Sequence, residues 1–275
     1  MSDQPPFVSF LSDYGRADEF VGVCHAVMLD LAPALRIVDI THEIPPFDVR
    51  AGALALVRAV QYLPAGVVLA IVDPGVGTDR RCLVVEVEEG FLVGPDNGLL
   101  APAVAMLGGP RRVVSLESPE YRLPAPGPTF AGRDIMAPAA AHLANGVPLE
   151  SLGPVVDPAS LAPGLVPLPN EREDGSIACE VLWVDRYGNC QLNVAPEQLT
   201  ERGIAPGGVV GVRVGERERR ARWVPTFAAA KPSELVVLVD AYGMCALALD
   251  QRSAASELAL RAGQTCVLTT PETAP

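Results

Sequence analysis

Residues 71–81 read IVDPGVGTDRR and overlap the end of the apolar run 66–72, which predicts a buried strand. Proline removes a backbone N–H donor and glycine permits positive φ, so the chain must turn at 73–75. A second apolar run begins at Cys82. Ligands of open α/β sheets bind beyond the carboxyl ends of strands, which makes Asp73 and the two arginines of this stretch candidates for a site. The alternative is a solvated turn, since aspartate is a common turn former.

The first half of the chain alternates strand and helix patterns. This alternation predicts a mostly parallel sheet with flanking helices, in an N-terminal α/β domain of residues 1–160. The predicted strands are 7–12, 35–40, 66–72, 82–87 and 91–93, and the predicted helices are 20–31, 49–62, 99–107 and 135–144.

The pattern changes after residues 157–175, which are rich in proline, glycine and charge and are interpreted as a linker. Beyond them, short apolar runs are separated by glycine, proline and charged turns. Such spacing is typical of a small β-barrel or β-sandwich, here assigned to a C-terminal domain of residues 174–275. The runs are 177–184, 208–214, 235–239 and 244–249.

The composition of the chain indicates which partners and which location to expect. Of 275 residues, 49% are hydrophobic, and the formal net charge of −12 argues against partners such as nucleic acid or an anionic membrane. No apolar run approaches the ~20 residues of a membrane span, and residues 1–6 lack the features of a signal peptide. The six cysteines form no Cys-x-x-Cys pair, so the expected location is cytoplasmic.

Several common catalytic signatures are absent from the sequence. The three histidines, His25, His42 and His142, lack metal-ligand spacing, so no metal site is expected. Loop 73–78 is not followed by the Lys-Ser/Thr of a phosphate-binding loop, and no Gly-x-Ser-x-Gly occurs.

A few polar and aromatic residues are candidates for binding, although each is weak by itself. Asp13 follows a predicted strand, where an acidic residue can bind ribose hydroxyls. Phe47 lies between Pro46 and Asp48 and is a possible platform for a ring or a sulfonium. The turn 185–189 combines a charge pair, an aromatic ring and an amide. Taken singly, these features are better explained by a solvated turn, a core or rim aromatic and an ordinary hairpin turn.

Together, seven motifs resemble the S-adenosylmethionine (SAM) hydroxide adenosyltransferase family. Its members are SAM hydrolases, and the SAM-dependent fluorinase and chlorinase are related to them. The resemblance extends over about residues 7–267. The motifs are FLSDYG (10–15), DITHEIPPFD (39–48), VDPGVGT (72–78), GPDNGLL (94–100), TFAGRD (129–134), DRYGN (185–189) and PTFA (225–228).

The resemblance implies an N-terminal α/β domain and a smaller C-terminal β-barrel. It implies a homotrimer in which SAM lies between the N-terminal domain of one subunit and the C-terminal domain of the next. Hydroxide, or halide in the halogenating branch, attacks C5′ of SAM and releases methionine and adenosine, or a 5′-halo-adenosine. Because a sulfonium is already an activated leaving group, SAM is substrate and no cofactor is expected.

The resemblance also implies roles for matching residues of the N-terminal domain. Asp13 would bind the ribose hydroxyls, and Phe47 would lie against the ribose or the sulfonium. Thr129 and Phe130 would border the reacting carbon.

Further binding residues are implied in the C-terminal domain of the neighbouring subunit. Asp185 would bind the methionine ammonium group, Asn189 would contact adenine and Tyr187 would pack on it. Two motifs depart from the family pattern. Where the family has Asn-Ser, this chain has Asp-Ala before Tyr242. Where the family has Ala-x-Asn, this chain has Asp250 in place of the asparagine. Tyr242 and Asp250 would therefore serve in altered ways.

The hydroxide-using branch of the family has an Asp–Arg–His triad that orients and deprotonates water. Asp73 and Arg80 match its first two members, but Ala131 occupies the position of the histidine. A carboxylate beside a guanidinium is a weaker base than an imidazole near neutral pH. Water would then be held by Asp73, Arg80 and backbone groups around Gly132, with slow turnover, unless His25 or His42 substitutes.

SAM hydrolysis is therefore the leading hypothesis. Asp73 and Arg80 favour hydroxide over halide, because the fluorinase lacks this pair. A halide transferase is the alternative reaction, since a small residue at 131 leaves room for chloride. A SAM- or adenosine-binding protein with little catalysis is the non-enzymatic alternative.

Overall fold

The computed structural model describes residues 6–270. The chain divides into two compact units, with the division between Val166 and Pro167. Within the described residues, no helix combines the length and the apolar character needed to cross a membrane.

The first unit contains a six-stranded sheet of order β2-β1-β3-β5-β4-β6. Strands β2, β1, β3 and β5 are parallel, whereas β4 is antiparallel to both of its neighbours. The prediction of a mostly parallel sheet is thus confirmed. The strands are β1 (Phe7–Ser12), β2 (Arg36–Thr41), β3 (Gly66–Ile71), β4 (Cys82–Val87), β5 (Gly90–Pro95) and β6 (Arg112–Ser115).

Helices cover both faces of this sheet, which explains why the central strand β3 is apolar throughout. Phe10 and Met28 belong to the core on one face, and Leu11 and Leu56 to the core on the other. The helices are α1 (Phe20–Leu31), α2 (Val49–Val60), α3 (Ala101–Met106) and α4 (Ala137–Ala144). A π-helical turn over Gly132–Met136 precedes α4, inside the motif at 129–134.

The second unit is a closed β-barrel. Its strands follow the order β14-β10-β11-β12-β13-β9-β8, pairing of β14 with β8 closes the ring of seven, and β7 pairs outside it with β8. The barrel prediction is confirmed. The elements are β7 (Asn170–Glu171), β8 (Ile177–Val184), β9 (Cys190–Leu192), α5 (Pro196–Glu201), β10 (Val209–Val214), β11 (Arg217–Trp223), β12 (Leu235–Val239), β13 (Cys245–Leu249), α6 (Ala254–Leu258) and β14 (Thr265–Thr269).

Candidate active site

Asp13 and Asp73 follow two adjacent parallel strands and therefore lie at the same sheet edge. Ser12 is in register with Ile71, and the Asp13 N–H donates to the Ile71 carbonyl at 3.3 Å. A cavity of about 590 Å³ opens at this edge. Six of the predicted site residues line it: Asp13, Phe47, Asp73, Thr129, Phe130 and Gly132.

Asp13 is held against the backbone of Phe47. Its Oδ2 accepts a hydrogen bond of 2.9 Å from the Phe47 N–H. Burial raises the pKa of the Asp13 carboxyl above its ordinary value, and this effect outweighs the hydrogen bond from Phe47, which lowers it. The Phe47 backbone has φ +67°, and 72% of this residue is exposed. A positive φ is costly for a bulky residue and is concentrated at functional sites.

Asp73, on the wall of this cavity, forms a bidentate ion pair with Arg80. The Nε atom of Arg80 donates to Asp73 Oδ1 at 2.8 Å, and Nη2 donates to Oδ2. Both side chains are largely buried, at 7% and 13% exposure. Burial alone would lower the pKa of the Arg80 guanidinium, but the hydrogen bonds to Asp73 raise it above the ordinary value. The pair predicted from the sequence thus forms, in the geometry typical of strong charge-assisted bonds.

An aromatic cluster of Tyr14, Phe20 and Phe130 forms another wall. Ring centroids are 5.6 Å apart for Tyr14 and Phe130 and 5.1 Å apart for Phe20 and Phe130. The Tyr14 hydroxyl lies against Gly132, where an added Cβ would come within 2.0 Å of it. Burial raises the pKa of Tyr14 well above its usual value, so the hydroxyl keeps its proton and remains a donor.

Ala131 is buried and lies between two cavities. It lines the cavity just described and a neighbouring one of about 600 Å³, which is also lined by Arg80, Arg81 and Arg122. Position 131 therefore faces the Asp73–Arg80 region without any group that can take a proton. Neither His25 nor His42 is among the described residues that line either cavity.

The second unit brings three predicted residues together in the turn between β8 and β9. Asp185 Oδ1 accepts from the N–H groups of Tyr187 and Asn189 at 2.9 and 2.8 Å, and Oδ2 accepts from the Asn189 side-chain amide at 2.7 Å. Gly188 has φ +86°, and a Cβ there would lie 2.1 Å from Oγ of Ser253. Tyr187 is 78% exposed.

The two residues in divergent motifs lie on different parts of the barrel. Asp250 follows β13 at the same end as the 185–189 turn, because β13 pairs antiparallel with β9. Tyr242 lies in the turn between β12 and β13, with its ring centroid 6.4 Å from that of Trp183. Asp240 Oδ1 accepts from the Tyr242 N–H at 2.9 Å and fixes that turn.

Sequence reasoning missed Tyr14 and Phe20 as cavity residues. Tyr14 belongs to the motif at 10–15, where the sequence indicates a role only for its neighbour Asp13. Phe20 begins α1, and its periodicity indicates a core position, whereas it is 38% exposed at the cavity.

Comparison with known families gives two matches that together span most of the chain. Residues 8–153 match the SAM hydroxide adenosyltransferase N-terminal domain. Residues 179–267 match the SAM hydroxide adenosyltransferase C-terminal domain.

Curated relatives carry names consistent with these matches. A protein of Salinispora tropica named (R)-S-adenosyl-L-methionine hydrolase is 46% identical over 258 residues, which are 94% of this chain and 95% of the relative. A protein of the same name from Thermus thermophilus is 43% identical, covering 93% and 96%. A fluorinase of an Actinoplanes species is 28% identical, covering 96% and 97%.

Solved structures also resemble this chain. An uncharacterized conserved protein from Thermotoga maritima superposes with a TM-score of 0.88 at 34% identity, covering 95% of this chain and 99% of that one. A conserved hypothetical protein from Thermus thermophilus superposes with a TM-score of 0.75 at 38% identity, covering 96% and 100%. From the two domain matches and the relatives, the chain belongs to the SAM hydroxide adenosyltransferase family.

Proposed function

We propose that this protein hydrolyses SAM to adenosine and L-methionine, by attack of water on C5′. The observation that carries the proposal is the buried Asp73–Arg80 pair, in which Asp73 lines the cavity that also contains Asp13. Relatives with 43–46% identity over most of the chain are named SAM hydrolases, which supports the same reaction.

The first unit supplies binding and orientation. Asp13 would accept hydrogen bonds from the ribose hydroxyls, since each carboxylate oxygen can accept more than one bond. Phe47 and the aromatic cluster would enclose the sulfonium end, and Thr129 and Phe130 would border C5′. Excluding bulk water and aligning one nucleophile with the C5′–S bond is most of the catalytic task for such an activated substrate.

The reaction forms a C5′–O bond and breaks the C5′–S bond. The electron pair of the broken bond remains on the methionine sulfur. The attacking water loses one proton, which Asp73 would accept and pass to solvent. Arg80 occupies one acceptor direction on each Asp73 oxygen, so a free direction remains to orient water beside the Gly132 backbone.

The absence of an imidazole at 131 implies slow turnover. General acid–base catalysis is worth about 10²–10⁴-fold. Asp73 would supply only part of that, because a carboxylate is a weaker base near neutral pH than an imidazole. SAM hydrolysis by this chain is therefore proposed to be slow but specific.

The second unit is proposed to complete the site of a neighbouring subunit in a homotrimer. Asp185 would bind the methionine ammonium group, and Tyr187 and Asn189 would bind adenine, with Tyr242 and Asp250 as further contacts. The resemblance to the family carries this proposal. We also propose a cytoplasmic location, which agrees with six free thiols within residues 6–270, and a reaction that needs no cofactor.

Halide transfer is the second candidate, and the cavity behind Ala131 favours it. Three arginines and three acidic residues, Asp79, Glu117 and Asp134, line that cavity, so its formal side-chain charges balance. The observation in favour of an anion is Nε of Arg122, which is buried without a hydrogen-bond partner among the described residues and can donate to chloride. Chloride would then attack C5′ in place of water.

One assay separates these reactions and the non-catalytic alternative. Purified protein is incubated with SAM, with and without chloride, and adenosine, methionine, 5′-chloro-adenosine and remaining SAM are quantified. Adenosine and methionine in equal amounts support hydrolysis, and a chlorinated product that depends on chloride supports halide transfer. Measurable SAM binding with no product would overturn both.

Two variants link the reaction to the Asp73–Arg80 pair. Asp73→Asn is expected to abolish product formation. Asp96→Asn is the matched control, because Asp96 forms a similar ion pair with Arg81 at the next strand end. Product formation that is equal in the two variants would show that Asp73 has no specific role.

A further inference from the structure

Two histidines and an aspartate that are far apart in the sequence meet beside β1. His25 is on α1, Asp39 is on β2 and His42 follows β2. Their ligand atoms lie within 4.8 Å of one another. Nε2 of His25 is 2.9 Å from Asp39 Oδ1, and Nε2 of His42 is 3.1 Å from the same oxygen.

The two distances to Asp39 Oδ1, 2.9 and 3.1 Å, are close to the separation between two ligand atoms of a tetrahedral metal ion. Metal–ligand bonds of about 2.0–2.1 Å place two ligands of a tetrahedron about 3.3 Å apart. Two imidazoles and one carboxylate are a common three-ligand set for zinc, and the fourth position is then taken by water. Small shifts of the three side chains would create such a site.

His42 is oriented from behind by a buried hydroxyl. Its Nδ1 is 2.8 Å from Oγ of Ser12, and that hydroxyl oxygen also accepts from the Tyr14 N–H at 3.3 Å. Histidines that bind metals typically use the other ring nitrogen in this way, because the partner fixes the tautomer and the ring plane. The Nε2 atom therefore faces Asp39 and His25.

The Nε2 atom of His42 needs a hydrogen-bond or metal partner, and the described residues supply none in suitable geometry. It is buried, and it has no partner with hydrogen-bond geometry among the described residues, although Asp39 Oδ1 is only 3.1 Å away. His42 as a whole is 1% exposed. A buried polar atom without a partner is uncommon and costs free energy, so a ligand at this point would stabilise the fold.

The other two members of the cluster leave an approach from solvent. The side chains of His25 and Asp39 are each 28% exposed. Arg16 competes for Asp39, with its Nη2 atom 3.4 Å from Oδ2, but 65% of the Arg16 side chain is exposed and it is free to turn into water. The arginine contact uses Asp39 Oδ2, whereas both histidines lie against Oδ1.

We propose that His25, Asp39 and His42 bind one divalent transition-metal ion of the zinc type, with water as the fourth ligand. The ion would fix the end of β1, because Ser12 links His42 to the segment that carries Asp13. This proposal is independent of the reaction proposed above.

The test is metal binding, measured on the full chain after treatment with EDTA. Co²⁺ is titrated as a spectroscopic probe and Zn²⁺ is titrated by calorimetry. We expect one ion per chain, visible d–d bands typical of four-coordinate Co²⁺ without thiolate charge-transfer bands, and a higher melting temperature with Zn²⁺.

Three variants localise the ion. His25→Gln and Asp39→Asn change partly exposed ligands and are expected to weaken binding by at least about tenfold. His142→Gln is the matched control, since His142 packs on Tyr121 elsewhere in the unit and binding should stay unchanged. Absence of a stoichiometric ion in the unmodified chain, or equal binding by all three variants, would overturn the proposal.

Discussion

The Phe47 N–H donates to Asp13 Oδ2 at 2.9 Å, and Phe47 adopts a φ of +67° while it does so. Backbone strain at one residue thus accompanies the orientation of a carboxylate 34 positions earlier in the chain. The strain belongs to the backbone, whereas the proposed contact with substrate belongs to the side chain, so substitutions can separate the two.

Phe47→Gly and Phe47→Ala form a matched pair for that purpose. Both remove the ring, but glycine adopts positive φ without penalty, so we expect the glycine variant to be more stable by about 1 kcal/mol. Both variants should raise the KM for SAM by a similar factor if the ring contacts substrate. Chemical denaturation and steady-state kinetics measure the two effects. An unchanged KM in both would exclude a binding role for the ring.

Asp13→Asn is expected to stabilise the protein at neutral pH while abolishing activity. Because the pKa of Asp13 is raised by burial, the fold favours the neutral carboxyl, and its stabilising contribution is lost as the pH rises through the folded-state pKa. The melting temperature of Asp13→Asn should therefore exceed that of the unmodified protein at pH 7, and the difference should shrink toward pH 4. Asp30→Asn, an exposed change on α1, should show no such trend.

The Asp13 carboxyl should also determine how kcat/KM for SAM depends on pH on the acidic side. Protonation of Asp13 turns one of its two acceptor oxygens into a donor, which weakens the proposed binding of both ribose hydroxyls, so kcat/KM for SAM should fall on acidification. Since burial raises the pKa of Asp13, the fall should begin at a higher pH than an ordinary aspartate would give. A profile that stays flat down to the ordinary pKa of an aspartate would contradict the role of Asp13.

Ala131→His should increase the rate of SAM hydrolysis. The new imidazole would enter the wall that faces Asp73 and Arg80 and supply a base suited to neutral pH. The gain is bounded by the usual value of a general base, about 10²–10⁴-fold in kcat. Ala131→Gln is the control for size and polarity, and an equal gain in that variant would show that proton transfer is not the cause.

Gly132→Ala should displace Tyr14 from the cavity wall. The added Cβ would lie 2.0 Å from the Tyr14 hydroxyl and 3.2 Å from Cδ1 of Ile71, so the tyrosine must move. We expect lower stability and lower activity. The double variant Gly132→Ala with Tyr14→Phe should recover much of the lost stability, because it removes the clashing oxygen. Additive losses would indicate that the backbone at 132 is responsible instead.

Five of the six strands of the first unit follow from local patterns, because they are apolar runs bounded by turns with proline or glycine, whereas the short strand β6 was not predicted. The carboxyl-end positions of Asp13 and Asp73 follow from parallel pairing alone. Strand β11 was not predicted, because its first four residues, 217–220, are all charged and exposed and do not alternate with apolar residues. Only Ala221 and Trp223 show the alternation of buried and exposed residues that is typical of a strand, and both belong to the barrel core.

Other features depend on tertiary geometry that spacing does not encode. The residues at 25, 39 and 42 meet only because α1 packs beside β2, so the histidine spacing gave no indication of a cluster. The close approach of Tyr14 to Gly132 is equally non-local. Residues 157–175, predicted as a linker, contain a short helical turn at Pro158–Ser160 and the strand β7.

The Asp73–Arg80 ion pair has one more consequence. It joins the two ends of the loop between β3 and β4 and so fixes the base of residues 74–79. Within the loop, Gly77 adopts φ +80° and Thr78 Oγ1 donates to the Gly75 carbonyl, whereas Asp79 is exposed. We therefore expect exchanges at Asp79 to leave the fold intact as long as the glycine at 77 and the hydroxyl at 78 are kept, which gives an engineer a position for a new side chain beside the site.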